Sequence, residues 1–188
     1  KGFEIKPTAD FTLTPINGCP TLSGNFTNTS LNATSYNWDF GNGNTSLQIN
    51  PSEIFTNTLT TNKLYTVSLT ANTAAGCTDT KTTTVTVFPK PTASFTLNAP
   101  AGCSPVAATF TNNSIGANSY VWNFGDGTTS VLTNPVHLFP DTGWFNVQLV
   151  VSGLGGCTDT VNQLVFVDLP QFPQASFTAD TSTCSLSV

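Results

Sequence analysis

The chain has 188 residues, a formal net charge of −5 and only 8% charged residues, against about 25% in an average soluble protein. Five Lys and Arg residues against ten Asp and Glu residues cannot form the basic face that displaces counterions from phosphates, which excludes nucleic-acid binding. No apolar run approaches the roughly 20 residues that span a membrane, which excludes membrane insertion of this stretch. Residues 1–7 lack the apolar segment of a signal peptide, so any export signal is expected outside this sequence.

From the N-terminus onward, one unit repeats along the chain. Residues 36–46 (YNWDFGNGNTS) return as residues 120–130 (YVWNFGDGTTS), and residues 76–80 (GCTDT) return unchanged as residues 156–160. Internal similarity at a nearly constant spacing is the signature of tandem modules. The sequence therefore predicts at least two copies of one fold.

The repeat also sets the expected domain boundaries. Residues 175–178 repeat residues 93–96, with Cys184 in the place of Cys103, so a third copy is expected to begin there. Proline fixes φ and stiffens a linker, so the proline-rich stretches between copies are expected to limit bending. We expect the end of a preceding module or linker at 1–7, a first module at 8–88, a linker at 89–91, a second module at 92–169, a linker at 170–173 and the truncated start of a third module at 174–188.

Within each copy, apolar residues alternate with polar ones. Trp38 and Phe40 flank Asp39 in the first copy, and Trp122 and Phe124 repeat the pattern in the second. A period of two places these aromatic side chains on one face of a strand, and no stretch shows the 3.6-residue period of a helix. Clusters of Pro, Gly and Asn separate the apolar runs. The expected fold class is all-β, with tandem immunoglobulin-like β-sandwich modules of about seven antiparallel strands and these four aromatic residues in the cores.

Each complete copy holds one cysteine before its second strand and one at the start of its last strand, which predicts two disulfides within modules, Cys19–Cys77 and Cys103–Cys157. The alternative, zinc binding, is disfavoured because zinc ligands usually come in close C-x2-4-C pairs, whereas these cysteines are 58 and 54 positions apart. No cofactor is therefore expected. Cys184 is expected to stay unpaired within this sequence. Disulfides persist in oxidising compartments, so we expect a secreted protein, outside the cell or on its surface.

The repeated aromatic motif resembles a known family signature. Residues 38–43 (WDFGNG) and residues 122–127 (WNFGDG) resemble the W-D-F-G-D-G motif of PKD (polycystic kidney disease) domains, and the Asn-Pro pairs that follow are similar to that family too. The paired cysteines and the GCTDT segments resemble the disulfide-containing variant common in surface proteins of Bacteroidetes, which the type IX secretion system often exports. The resemblance covers essentially the whole chain. It implies modules that act as spacers in adhesins, gliding-associated proteins, proteases and chitinases.

The polar candidate site residues each have a plainer structural interpretation. His137, the single histidine, would need a nucleophile and an acid to form a catalytic triad, but Glu53 occupies its place in the first copy. Asp126 and Asp39 could offer carboxylates to Ca2+, yet calcium needs six to eight oxygens and each turn provides one carboxylate. A tight turn in which Asp or Asn accepts backbone hydrogen bonds is the favoured interpretation of both.

Two aromatic residues are candidates for contacts outside the core. Phe145 and Val147 occupy the inward positions of their strand, so Trp144 is expected to face outward, where it could anchor a protein or a sugar. The alternative is that Trp144 lies over its own sheet or the neighbouring loop. Phe172, in the second proline-rich linker, could wedge between modules.

These features predict structural modules and not an enzyme. We expect a rigid spacer in a long extracellular adhesin, fibre or surface appendage. Its expected partners are the neighbouring modules, copies of itself in a filament formed by lateral or end-to-end assembly, or a surface protein or glycan ligand. The alternative is a set of accessory modules that space a catalytic domain, or hold polysaccharide, in a secreted protease or chitinase. A dedicated carbohydrate-binding module is least favoured, because it needs a row of exposed aromatic residues and only Trp144 is expected to be exposed.

Overall fold

The computed structural model describes residues 5–98, 106–167 and 176, which form two successive β-sandwich modules. The strands of the first module are β1 Phe11–Thr14, β2 Asn17–Gly18, β3 Leu22–Asn28, β4 Ser35–Asp39, β5 Thr45–Ser46, β6 Ser52–Phe55, β7 Lys63–Asn72 and β8 Thr78–Val87. Those of the second are β9 Phe95–Asn98, β10 Val106–Asn112, β11 Ala117–Asn123, β12 Thr129–Ser130, β13 Val136–Phe139, β14 Gly143–Gly153 and β15 Thr158–Val167. A single 3₁₀ turn, Leu154–Gly156, precedes β15.

Several sequence predictions fall on residues outside this description. They concern Cys103, Phe172, Cys184 and nearly all of the expected start of a third module at 174–188. Within the described residues, no helix has both the length and the apolar character needed to cross a membrane.

Each module consists of two sheets. In the first module a sheet with strand order β1-β3-β6 is accompanied by a five-stranded sheet with order β2-β8-β7-β4-β5. In the second module the orders are β13-β10-β9 and β12-β11-β14-β15. Neighbouring strands are antiparallel except β2, which runs parallel to β8. The all-β, immunoglobulin-like architecture predicted from the sequence is confirmed; the difference is β2, an eighth strand in the first module that the repeat pattern did not reveal.

The aromatic residues of the repeated motif lie between the sheets. The four predicted core residues are all buried: Trp38, Phe40, Trp122 and Phe124. The indole Nε1 atoms of the two tryptophans donate hydrogen bonds to the carbonyl oxygens of Gln48 and Leu132, both at 2.9 Å. The ring of Trp38 lies 5.0 Å from that of Phe11 in the other sheet. Each tryptophan therefore contributes a large buried apolar area and leaves no unsatisfied donor.

The turn after each buried tryptophan is held by a side-chain oxygen of Asp or Asn. Asp39 Oδ1 accepts the N–H of Gly41 at 2.8 Å, and Asn123 Oδ1 accepts the N–H of Gly125 at 3.0 Å. A carboxylate oxygen and an amide oxygen serve equally as acceptors in such a turn. This explains why Asp and Asn exchange between the two copies of the motif while the glycines do not.

Gly41→Ala is expected to destabilise the first module by about 3 kcal/mol or more, because two costs add. Gly41 has a φ of +71°, where an L residue costs about 1–2 kcal/mol, and an added Cβ would lie 2.5 Å from the backbone oxygen of Thr66. Gly43→Ala is the matched control, since Gly43 has a φ of +94° but open space around the added Cβ. Thermal unfolding followed by circular dichroism measures both variants. Equal losses would show that the close approach of Thr66 does not select glycine.

Candidate functional site at the joint between the modules

The linker between the modules packs into the structure instead of standing free. Pro89 and Pro91 are buried, and the backbone N–H of Phe88 donates a hydrogen bond to the carbonyl oxygen of Gly18 at 2.8 Å. We use the name joint for the region where the linker, the end of β2 and the turn before β15 meet. The joint comprises residues 17–19, 88–93 and 153–159.

A disulfide bond crosses the joint. It links Cys19, which follows β2 in the first module, to Cys157, which precedes β15 in the second, with the two Cα atoms 5.4 Å apart. The linker and this bond give the modules two covalent connections. The pairings predicted from the sequence, Cys19–Cys77 and Cys103–Cys157, are therefore wrong.

The length of the last strand explains why the first module cannot pair its own two cysteines. Gly18, next to Cys19, pairs with Val87 at the end of the ten-residue strand β8, whereas Cys77 immediately precedes the start of that strand. At about 3.3 Å per residue, β8 separates the two cysteines by about 30 Å, far beyond the roughly 7 Å that a disulfide allows between Cα atoms. The Cys77 carbonyl oxygen accepts the N–H of Thr73 at 2.9 Å and closes the turn before β8.

The ring of Phe88 packs directly against the backbone of the turn that carries Cys157. Gly155 has a φ of +67°, and a Cβ added there would lie 2.1 Å from a ring carbon of Phe88. A Cβ added at Gly153 would meet Pro91 at 3.4 Å. The first module carries Ala75 at the position of Gly155. This difference between the copies was the sequence signal for a close approach at the joint, and the sequence reasoning missed it.

An aspartate in each GCTDT segment anchors the incoming chain. Asp159 Oδ2 accepts the N–H of Ala93 at 2.9 Å, and Lys90 Nζ lies 2.8 Å from Asp159 Oδ1. The hydrogen bond from Ala93, followed by that from Lys90, holds the pKa of Asp159 below its ordinary value. In the first module Asp79 accepts the N–H of Ala9 at 2.8 Å in the same way. The repeated Asp therefore acts at the entrance to each module.

Asp159→Asn should weaken the joint in a pH-dependent manner. A carboxylate with a depressed pKa stabilises the folded state fully above its unfolded pKa of about 3.9, and this contribution is lost as the pH falls through the folded pKa. At pH 7 we expect the variant to lose about 1–2 kcal/mol, at the lower end of the roughly 1.5–3 kcal/mol of hydrogen bonds to charged groups, because Asn keeps an acceptor oxygen. Melting temperatures measured from pH 7 to pH 2 should show the wild type approaching the variant in acid.

The control for this titration is Asp141→Asn, because Asp141 is exposed in the loop before β14, near the end of the ladder where Gly143 pairs with Val167 and far from Asp159. It should melt close to the wild type at pH 7. A difference between wild type and Asp159→Asn that stays constant down to pH 2 would contradict the assignment of the effect to the Asp159 carboxylate.

His137 braces the turn of the second module and does not sit in a triad. Its Nε2 lies 2.6 Å from Asp126 Oδ2, and its ring stacks on Phe124 with centroids 4.0 Å apart. Burial would raise the pKa of Asp126, but hydrogen bonds from Thr128 and His137 outweigh it and hold this pKa below its ordinary value. Nε2 donates to the acid, so it cannot also take a proton from Thr128, as a triad base must.

The first module replaces this pair with two hydrogen bonds from side-chain amides to a carboxylate. Glu53 Oε1 accepts from the side-chain amides of Asn42 and Asn44 at 3.0 and 2.9 Å. The position occupied by Glu53 and His137 thus steadies the turn in both copies. Among the described residues, no group of three or more His, Cys, Asp or Glu side chains is placed to hold a metal ion.

Trp144 lies on the outer face of β14 beside a second aromatic residue. Its side chain is 66% exposed, and it pairs across the ladder with Phe166, whose ring lies 5.0 Å away at an inclination of 49°. Leu164, two positions before Phe166, is also exposed. We call Trp144, Leu164 and Phe166 the aromatic patch. The first module has Leu64 in the place of Trp144 and Thr86 opposite it, so the patch is confined to the second module. The sequence reasoning placed Trp144 outward but missed Phe166.

Each module has two β-sheets that pack over a buried tryptophan, followed by a glycine-containing turn, and the chain is therefore a tandem pair of immunoglobulin-like β-sandwich modules. The sequence matches the PKD domain family over residues 5–87 and again over residues 89–167. The chain belongs to this family, whose domains are non-catalytic modules that also occur within enzymes.

Curated relatives share short stretches of this sequence. Collagenase ColA of Bacillus cereus is 41% identical over 58 residues, which are 31% of this chain and 6% of that protein. Pre-pro-metalloprotease PrtV of Vibrio cholerae is 41% identical over 59 residues, again 31% of this chain and 6% of that protein. The chain thus matches a small part of each enzyme.

Solved structures of single PKD domains are also similar. The PKD1 domain of the Vibrio cholerae metalloprotease PrtV is 31% identical, with a TM-score of 0.38, and the match covers 42% of this chain and 98% of that domain. The PKD1 domain of Vibrio anguillarum Epp is 27% identical, with a TM-score of 0.40, over 43% of this chain and 96% of that domain.

Proposed function

We propose that this chain supplies non-catalytic structural modules to an extracellular protein and acts there as a covalently braced spacer. The Cys19–Cys157 bond across the joint is the observation that carries the proposal. Disulfides persist in oxidising compartments, and a second covalent connection limits the freedom of one module relative to the next. The PKD modules of a collagenase and a metalloprotease support an accessory role in an extracellular setting.

The larger protein is, in this proposal, a long adhesin, fibre or surface appendage. The low charge of the chain supports this setting, because uncharged surfaces repel one another little and suit lateral or end-to-end assembly. The alternative is a secreted hydrolase in which these modules space a catalytic domain, as the names of the relatives suggest. Many further repeats in the encoding gene would favour the first setting. A protease or glycanase domain would favour the second.

Small-angle X-ray scattering of the 188-residue chain tests the braced joint. The oxidised chain should give one narrow distribution of distances, and Cys19→Ser/Cys157→Ser should give a broader one. Gly155→Ala should broaden the distribution of the reduced chain, because its Cβ displaces Phe88, whereas Gly156→Ala leaves Phe88 in place since an added Cβ meets nothing within 4 Å. Identical scattering from the oxidised chain and the cysteine variant would reject the braced joint.

A second candidate function, polysaccharide binding, is favoured by the aromatic patch alone. The outer face of β14 and β15 presents Trp144 and Phe166 beside Asn146, Gln148 and Asn162. Exposed aromatic rings can stack on the C–H faces of sugar rings, and amides can bond to hydroxyl groups. The alternating residues that share this face are uncharged, which suits a neutral glycan.

Adsorption to microcrystalline cellulose and to chitin tests this second candidate. The variant Trp144→Leu/Phe166→Thr installs the residues of the first module at the same positions. We expect the wild type to adsorb to at least one of the two solids and the variant to lose at least tenfold in affinity. Equal adsorption of both proteins, or none by the wild type, would reject polysaccharide binding by the patch.

A further inference from the structure

The disulfide across the joint divides the chain into a long closed loop and two short flanking segments. The bond joins residues 138 positions apart in the sequence. The loop therefore contains every strand from β3 to β14, and with them most of both hydrophobic cores. By flanking segments we mean the residues outside the loop that run along the two modules, which are residues 9–18 with β1 and β2, and residues 158–167, which form β15.

Both flanking segments already run extended along their modules. The N–H of Ala9 is hydrogen-bonded to Asp79 near the start of β8, and Gly18 pairs with Val87 at the end of β8, so residues 9–18 traverse the length of that strand. In the second module β15 is itself a ten-residue strand. A strand rises about 3.3 Å per residue, close to the roughly 3.3–3.6 Å of a fully stretched chain. Neither segment can lengthen much when it is pulled.

We propose that the Cys19–Cys157 bond carries tension past both modules, so that a pull on the ends of the chain cannot extend the closed loop. Tension enters along residues 9–18, crosses the two sulfur atoms and leaves along β15. The non-covalent contacts made within the loop, including the packing of Trp38 on Phe26 and of Trp122 on Phe110, then lie outside the path of the force. This function goes beyond that of a spacer, and it follows from the position of the bond whether or not the joint holds the modules at a fixed angle.

The protected length is large compared with the modules themselves. The 138 positions that the bond spans would otherwise stretch to about 450–500 Å at roughly 3.3–3.6 Å each. With the bond intact, the two ends of the loop stay at the Cα separation of 5.4 Å. A module that opens under thermal fluctuation therefore adds almost nothing to the length of the chain and can refold in place.

Single-molecule force spectroscopy tests the proposal on the full 188-residue chain, held by handles at its two ends. The oxidised chain should show no unfolding step of module size. The variant Cys19→Ser/Cys157→Ser should show one step for each module and a final length greater by about 450–500 Å. A phosphine reductant added to the oxidised chain at constant force should release the same extra length. An oxidised chain that extends as far as the variant would overturn the proposal.

A second variant assigns the effect to this bond and not to another disulfide. Cys77→Ser/Cys103→Ser/Cys184→Ser retains only Cys19 and Cys157, and it should remain as short as the oxidised wild type. Full extension of this variant under oxidising conditions would also overturn the proposal. A broad distance distribution in the scattering of the oxidised chain would count against the braced spacer. It would not change the extended lengths measured under force, so each proposal can fail without the other.

Discussion

Trp38→Ala should remove most of the stability of the first module. Replacing a buried tryptophan by alanine costs about 3–5 kcal/mol, because the transfer free energy of the ring is lost and a cavity remains. A module of about 80 residues has a total stability of roughly 4–12 kcal/mol. Trp38 is fully buried and packs against Phe11 and Phe26 of the other sheet, with ring centroids 5.0 and 5.3 Å away. Differential scanning calorimetry should show the transition of the first module about 15 °C or more lower.

The three tryptophans of the chain provide matched controls for this experiment. Trp122→Ala should produce the same loss in the second module, since Trp122 is fully buried among equivalent aromatic rings. Trp144→Ala should leave both transitions nearly unchanged, because Trp144 is exposed on the outer face of β14. Trp38→Ala and Trp144→Ala proteins that melt alike would contradict the assignment of Trp38 to the core.

The sandwich fold could be predicted from the sequence because its signals are local. The alternation of apolar and polar residues around Trp38 and Trp122 has the two-residue period of a strand. Gly41 and Gly125 lie in turns where φ is positive. These signals depend on neighbouring residues and recur in both copies. Strand β2 escaped prediction because two residues give no alternation. The pairing of β2 with β8 depends on how the chain returns from β1, and the residue types of β2 do not indicate it.

The joint could not be predicted to the same degree, because it depends on contacts between copies. Each module has two cysteines, and the prediction that they pair within the module did not account for the length of β8, which separates Cys77 from Cys19 by about 30 Å. In β8 only Val85 and Val87 alternate with polar residues, so the sequence pattern did not reveal that this strand is ten residues long. Which cysteine then faces Cys19 depends on the course of the linker. The packing of Phe88 on Gly155 sets that course, and only the structure shows it.

Loss of the cross-joint disulfide should lower the combined free energy of unfolding of the two modules by up to about 5 kcal/mol. In the chain-entropy model the effect grows with the length of the closed loop, and this bond closes 138 positions. We expect Cys19→Ser/Cys157→Ser to melt about 10–20 °C below the oxidised wild type in calorimetry. The two modules should also unfold more independently in the variant, because the unfolding of one no longer leaves its chain tied to the other.

The response to a reductant separates this bond from any other disulfide in the chain. The wild type should fall to the melting temperature of Cys19→Ser/Cys157→Ser when a phosphine reductant is added, whereas the variant should not change. A variant that still responds would show that another cysteine pair contributes to stability. A variant that melts with the oxidised wild type would mean that the contacts of Phe88 and Asp159 hold the joint by themselves. The stabilising role of the bond would then be rejected.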